Sequence, residues 1–202
     1  MGGDLARPQA RVSAPPAPPL LLASTSPQRR AILEQLGIPF DVLAPRYEEQ
    51  PGIDPVEHAR AKARSVADDA GERPVLGVDT EVSCGGRLFG KAESAEAAAE
   101  MLSALAGQTH EVVSGLCLLT AAWEEVGREV TRVTFRPLTP RDIATCVATG
   151  EWEGRAGAYA IQGVGASLVE RIDGDYLNVV GLPAALLVRL LAERFAGTYG
   201  FG

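Results

Sequence analysis

Residues 20–37 read LLLASTSPQRRAILEQLG, and this stretch sets the fold class. Leu20-Leu21-Leu22-Ala23 is an apolar run of the length of a buried strand. It ends in Ser24-Thr25-Ser26-Pro27, where Ser26 is a good helix N-cap and Pro27 suits the first helical position. Ile32, Leu33 and Leu36 then recur at helical spacing, and Gly37 is the stop. A buried strand that feeds a helix through a tight turn is the opening unit of an α/β fold.

Working outward, Phe40 to Ala44 predicts a second strand and Pro45 to Asp54 a loop. Pro55 opens a longer helix with apolar positions Val56, Ala59, Ala63, Val66, Ala67 and Ala70, ended by Gly71. Val75 to Val78 is a continuous apolar strand that runs into Asp79-Thr80, and Glu81 to Phe89 predicts a hairpin turned at Gly85-Gly86. Ser94 caps a helix to Leu105, stopped by Gly107. Glu111 to Leu119 and Glu129 to Leu138 predict two longer strands. In the second, Thr131, Val133 and Phe135 share one face. Pro140 to Ala148 predicts a short helix, Gly154 to Gly165 an irregular segment, and Ala166 to Ile172 a strand. Tyr176 to Val180 reads as a strand remnant and Leu182 to Phe195 as the closing helix. Early alternation followed by clustered strands predicts an α/β fold with a mixed sheet.

Composition narrows the function classes. The 202 residues are 46% hydrophobic and 22% charged, the balance of a globular domain. Acidic residues outnumber basic ones by 26 to 19, for a net charge of −7, which disfavours general nucleic-acid binding. No apolar run is long enough to span a membrane. Cys84, Cys117 and Cys146 are scattered and odd in number, so neither a disulfide scaffold nor a zinc site is expected, and the default compartment is the cytoplasm. Residues 1–18 are Pro-rich and lack the apolar core of a signal peptide. They read as a disordered leader, with the domain over 19–197 and a tail over 198–202.

Five constellations carry chemistry. The turn with Ser24, Ser26, Arg29 and Arg30 sets hydroxyls and guanidiniums at a helix start, an anion site; a plain N-cap with solvated arginines satisfies the same residues. Asp79 and Thr80 end an apolar strand, where α/β sheets place ligands and a carboxylate can take a proton or hold Mg²⁺; an Asp starting a turn looks the same. Lys62 borders the apolar face of its helix and either points at something definite or snorkels. Lys91 follows the hairpin as a candidate partner or a solvated loop lysine. Glu48-Glu49-Gln50 offers paired carboxylates, or only solvated loop charges. Gly157 to Gly163 lets backbone approach a ligand, and Gln162 carries a donor and an acceptor for a base edge, unless the segment only packs. His110 reads as structural or as a surface residue. The residues alone support an α/β domain with a phosphate-and-Mg²⁺ site.

Taken in order, three segments resemble one family: LLLASTSPQRRAILEQLGIPFDVLAP, VLGVDTEVSCGGRLFGKAESAEAAAEMLSALAGQTHEVVSGLCLL and VTFRPLTPRDIATCVATGEWEGRAGAYAIQGVGASLVERIDGDYLNVVGLP. They are similar to the Maf (septum formation inhibitor) nucleotide pyrophosphatases from Leu20 into the final helix. The resemblance implies an elongated mixed sheet flanked by helices, with a cleft between two lobes. It implies hydrolysis of a nucleoside triphosphate to the monophosphate and pyrophosphate with a divalent metal, Mg²⁺ or Mn²⁺. Carried over, Asp79 is the proton acceptor, Asp79 and Glu49 hold the metal, and Lys62 and Lys91 complete the catalytic set. Ser24, Ser26 and Arg29 bind substrate. A homodimer is also implied.

The resemblance further marks three specificity positions, here Gln28, Thr80 and Gln162. Thr80 and Gln162 match a branch acting on dTTP and UTP. Gln28 stands where that branch has Arg and a 7-methyl-GTP branch has Trp. Glu81 also departs from the family's usual apolar residue; if the strand continues, it shares a face with Asp79. The expected substrates are dTTP and UTP, with CTP and modified pyrimidine nucleotides as further candidates. The rivals are a 7-methyl-GTP or broad-specificity enzyme, a nucleotide-binding regulator of cell division, and a binding module for a phosphorylated metabolite.

Overall fold

The computed structural model describes residues 17–50 and 52–201. Most of the predicted leader therefore lies outside the described residues. The elements are β1 (Leu20–Ala23), α1 (Pro27–Gln35), β2 (Phe40–Val42), α2 (Pro55–Arg64), β3 (Val75–Cys84), β4 (Arg87–Phe89), α3 (Ala95–Leu105), β5 (Thr109–Leu119), β6 (Glu124–Phe135), α4 (Pro140–Ala148), β7 (Val169–Asp173), α5 (Tyr176–Val180) and α6 (Ala184–Phe195). The strands form one mixed sheet in the order β2-β1-β3-β5-β6-β7, with β4 also on β3. β1 runs parallel to β2 and β3, and the remaining pairs are antiparallel. The predicted α/β class with a mixed sheet holds.

The pairing of β3 opens the cleft. One edge is covered by β5 along nearly its whole length. On the other edge β1 pairs only as far as Gly77, and β4 begins only at Val82. Residues 78–81 therefore have no strand beside them on that edge. Asp79 and Thr80 sit in this gap, just beyond the carboxyl end of the parallel pairing, where α/β sheets receive ligands.

Two larger core clusters flank that region. Leu20, Leu22, Ile32, Leu33, Leu76, Leu116, Leu187 and Leu191 pack under α1 and α6. Phe135, Val112, Val133, Leu102, Leu105 and Leu168 pack at the other end of the long strands. A further cluster joins Ala59, Ala63 and Val66 to Val75 and Cys117. It depends on two glycines. A Cβ on Gly77 would lie 2.1 Å from the Ala59 carbonyl oxygen, and one on Gly115 would lie 2.2 Å from that of Pro55. Only bare backbone lets α2 come this close to β3 and β5. Tyr199 is also buried, and its hydroxyl donates to the Pro18 carbonyl oxygen at 2.9 Å.

Several expected boundaries move. β2 ends at Val42 rather than Ala44. α2 stops at Arg64, where the Ser65 hydroxyl donates to the Lys62 carbonyl and a 3-10 turn follows over Ala67–Asp69. β3 is one continuous strand through Cys84, so Asp79 lies within it and shares a face with Glu81. β6 begins at Glu124, five residues earlier than expected, pairing with β5 along its length. Residues 164–168 form a 3-10 turn, and β7 starts only at Val169.

Tyr176–Val180 is a helix, not the expected strand remnant. The Asp175 carboxylate caps it by accepting from the Leu177 N–H, and buried Asn178 donates to the Val112 carbonyl and to Thr131 Oγ1. Gly181, at φ 131°, ends it. α6 begins at Ala184, because Pro183 takes the N-cap position.

Candidate active site

Lys62 is the hub of the cleft. It projects from the buried face of α2, only 5% exposed, so its ammonium must find partners. It donates to Asp79 Oδ1 and to Glu49 Oε1, each at 2.5 Å. The lysine thus points at something definite and does not snorkel. Asp79 Oδ2 has no hydrogen-bond partner among the described residues. Burial pushes the Glu49 carboxyl up, but the hydrogen bond and charge of Lys62, with Lys91 and His58, bring it below its ordinary value.

The strand-to-helix turn forms a second layer. Ser26 caps α1 by accepting from the Arg29 N–H at 3.4 Å. The Ser26 hydroxyl donates to Gln28 Oε1 at 2.9 Å, tying that amide down. The Arg29 guanidinium turns inward. It donates to Ser24 Oγ and the Gly181 carbonyl, both at 3.0 Å, and to Thr80 Oγ1 at 3.4 Å. Thr80 Oγ1 also lies 2.8 Å from Ser114 Oγ. Arg29 therefore locks α1, β3 and the end of α5 together. Burial lowers its pKa, and the charges of Asp79 and Glu49 oppose that shift.

One cavity of about 150 Å³ brings together Ser26, Gln28, Arg29, Glu49, Lys62, Asp79, Thr80 and Lys91. Ser24 supports it through Arg29. Gln162 lies in a smaller adjoining nook with Gln28, Tyr159 and Arg155. On the outer side a cavity of about 360 Å³ shares Asp79, Glu49 and Lys91 and adds His58 and Glu81. Burial raises the Glu81 carboxyl, Asp54 and Asp79 raise it further, and Arg128 opposes. Glu48 and Arg30 are exposed, and neither lines these cavities.

Sequence reasoning missed Arg155, Gly181 and Ser114, and singled out Tyr159 only as the aromatic within the 157–163 segment. The small-residue run around Tyr159 was a signal for close approach. Nothing local marked Gly181, whose role is a carbonyl offered across the fold to Arg29. His110 is fully buried, with Nε2 2.9 Å from the Tyr159 hydroxyl and its ring edge-on to Phe135, so it is structural. Burial drops its pKa from 6.5 to about 4.

Among the described residues no three His, Cys, Asp or Glu side chains gather as a metal-ligand cluster. Asp79 and Glu49 converge on the Lys62 ammonium, which leaves Asp79 Oδ2 as the open carboxylate oxygen of the cleft; Mg²⁺ typically takes only one or two carboxylates and completes its shell with water and phosphate oxygens. Among the same residues no helix is long and apolar enough to cross a membrane.

Fold and cleft together define an α/β protein whose broken sheet edge opens into a pocket where the Asp79 and Glu49 carboxylates lie among the side chains of Lys62, Lys91, Arg29 and Arg155. The chain belongs to the Maf-like protein family, whose model matches residues 19–194. It is 46% identical over 188 residues to a dTTP/UTP pyrophosphatase of Nitratidesulfovibrio vulgaris, covering 89% of this chain and 90% of the relative. It is 44% identical over 192 residues to a dTTP/UTP pyrophosphatase of Deinococcus radiodurans, covering 92% and 97%. A dTTP/UTP pyrophosphatase of Moorella thermoacetica is 49% identical over 181 residues, covering 86% and 93%.

Proposed function

We propose that this chain is a nucleoside triphosphate pyrophosphatase that hydrolyses dTTP and UTP to the monophosphate and pyrophosphate. The observation that carries the proposal is the placement of Asp79 in one cavity with Lys62, Lys91 and Arg29. The substrate names come from relatives that match along most of this chain.

A triphosphate carries too much charge to enter a neutral cleft. Lys91 and the α1 N-terminus offset that charge and stabilise what develops on the leaving pyrophosphate, while Lys62 balances the Asp79 and Glu49 carboxylates that would otherwise repel it. Asp79, held through Oδ1 by Lys62, takes a proton from water at Oδ2. The water oxygen bonds to the α-phosphorus, the bond to the α,β-bridging oxygen breaks, and pyrophosphate leaves. Positioning and electrostatics carry most of such a step. Asp79 and Glu49 are the residues that would hold Mg²⁺ or Mn²⁺, which when bound neutralises phosphate charge. Gln162 and Thr80 set base preference, with Gln28 fixed beside them by Ser26.

A cytoplasmic homodimer completes the proposal. Cys84, Cys117 and Cys146 are free thiols, in keeping with a reducing compartment. Light scattering separates a dimer from the 21.2 kDa chain. The activity is tested by pyrophosphate release, with Mg²⁺ and with Mn²⁺, from dTTP, UTP, CTP, GTP and 7-methyl-GTP. Release from dTTP and UTP supports the reading. A preference for 7-methyl-GTP overturns the substrate choice, and no turnover of any nucleotide moves the weight to a binding protein.

A further inference from the structure

The phosphate cavity and the nook beside Gln162 meet at one charged side chain. Arg155 lines both. Its backbone is clamped from two directions. The Arg155 N–H donates to the Trp152 carbonyl at 3.2 Å. The next residue, Ala156, forms an isolated antiparallel bridge with Lys91. Gly157 then donates to the Phe89 carbonyl at 3.0 Å. The segment is thus tied to the end of β4 with Lys91 beside it, a rigid mount for a ligand-facing side chain.

The two arginines of the cleft differ in what their donors already hold. Arg29 gives its guanidinium to Ser24, Gly181 and Thr80, all protein acceptors. Arg155 makes a single side-chain hydrogen bond among the described residues, from Nη1 to the Glu151 carbonyl oxygen. No carboxylate pairs with it there. A guanidinium has five N–H donors in a planar fork that matches phosphate oxygens. Most of that fork is available at the junction of the two cavities, while the neighbouring Gln28 carbonyl is taken by Ser26.

We propose that Arg155 is a substrate-binding residue that grips the α-phosphate and ribose end of the nucleotide, the portion that leaves as the monophosphate. The inference rests on the pyrophosphatase reading. With the base at Gln162, the α-phosphorus within reach of a water held by Asp79, and the β- and γ-phosphates toward Lys91, the wall shared by the two cavities is the α-phosphate position. Arg155 then holds the monophosphate product and has no part in holding pyrophosphate.

The test is calorimetric titration of the wild-type chain, Arg155→Gln and Arg155→Lys with UMP and, separately, with pyrophosphate. Thermal unfolding of each variant is run alongside. Loss of a charge-assisted pair predicts that Arg155→Gln weakens UMP binding about 10-fold to 100-fold. Pyrophosphate binding stays within about twofold, and Arg155→Lys falls between. Equal weakening of both ligands would mean that the substitution acts by displacing Lys91, and it overturns the proposal. Unchanged UMP binding, or none to the wild type, overturns it too. Turnover of UTP by the wild type is read separately, so a failed activity is not confused with a failed role for Arg155.

Discussion

Lys62 Nζ lies 2.5 Å from Asp79 Oδ1 where α2 crosses β3, with side-chain exposures of only 6% and 12%. A pair this buried is costly to break from one side, because the remaining charge is left without a partner. The Glu49 carboxylate on the same ammonium is half-exposed and contributes less. The Lys62–Asp79 pair therefore fixes the reacting carboxylate and also holds the fold at the cleft.

Lys62→Met should destabilise the protein by about 3 kcal/mol and abolish turnover. Lys91→Met, at an exposed position, should change stability by less than about 0.5 kcal/mol while raising KM. Urea unfolding of both variants checks the contrast. Equal stabilities would remove the structural part of the role of Lys62.

Gly77→Ala should cost about 2 kcal/mol or more, since its Cβ would meet the Ala59 backbone oxygen, which cannot swing aside as a side chain can. Because the clash pushes α2 off the sheet, kcat should fall with stability although residue 77 touches no substrate. Gly86→Ala, where a Cβ has open space and φ is 80°, supplies a backbone-strain control far from Lys62. Thermal unfolding with steady-state kinetics reads both. Full activity in Gly77→Ala would contradict the link between helix approach and catalysis.

Much of this geometry was legible in the sequence, and its limits have physical causes. The apolar run into Asp79 and the Ser-Pro helix start are local signals, and both fall where expected. Lys62 stood out because it borders an apolar helix face. The helix at Tyr176–Val180 was not legible. Its β-branched valines favour strand, and what wins is the Asp175 cap with the buried amide of Asn178, whose partners lie 47 and 66 residues away. The roles of Gly77 and Gly181 depend likewise on neighbours distant in sequence. Arg155 carried no signal until the cavities on either side of it were seen.

His110 makes stability depend on pH. Its native pKa is about 4 against an ordinary 6.5, so between these values the unfolded chain binds more protons. The stability tied to the neutral ring is complete above about pH 6.5 and is lost as pH falls toward 4, on the order of 3 kcal/mol in all. His110→Gln should lose less stability than the wild type between pH 7 and pH 5. Parallel pH profiles of the two would show that burial of His110 has no such effect.

Gln162→Ala should change the ratio of rates on UTP and GTP by about 10-fold, with a smaller change in kcat on the best substrate. The nucleotide panel measures this directly. Unchanged relative rates would remove Gln162 as a base reader.

The central claim is that water, deprotonated by Asp79, attacks the α-phosphorus. Hydrolysis of UTP in heavy-oxygen water, with mass analysis of both products, tests it most directly. The account predicts the label in UMP and none in pyrophosphate, with turnover lost by at least about 100-fold in Asp79→Asn while UTP binding persists. Label in pyrophosphate, or full turnover by Asp79→Asn, would contradict it.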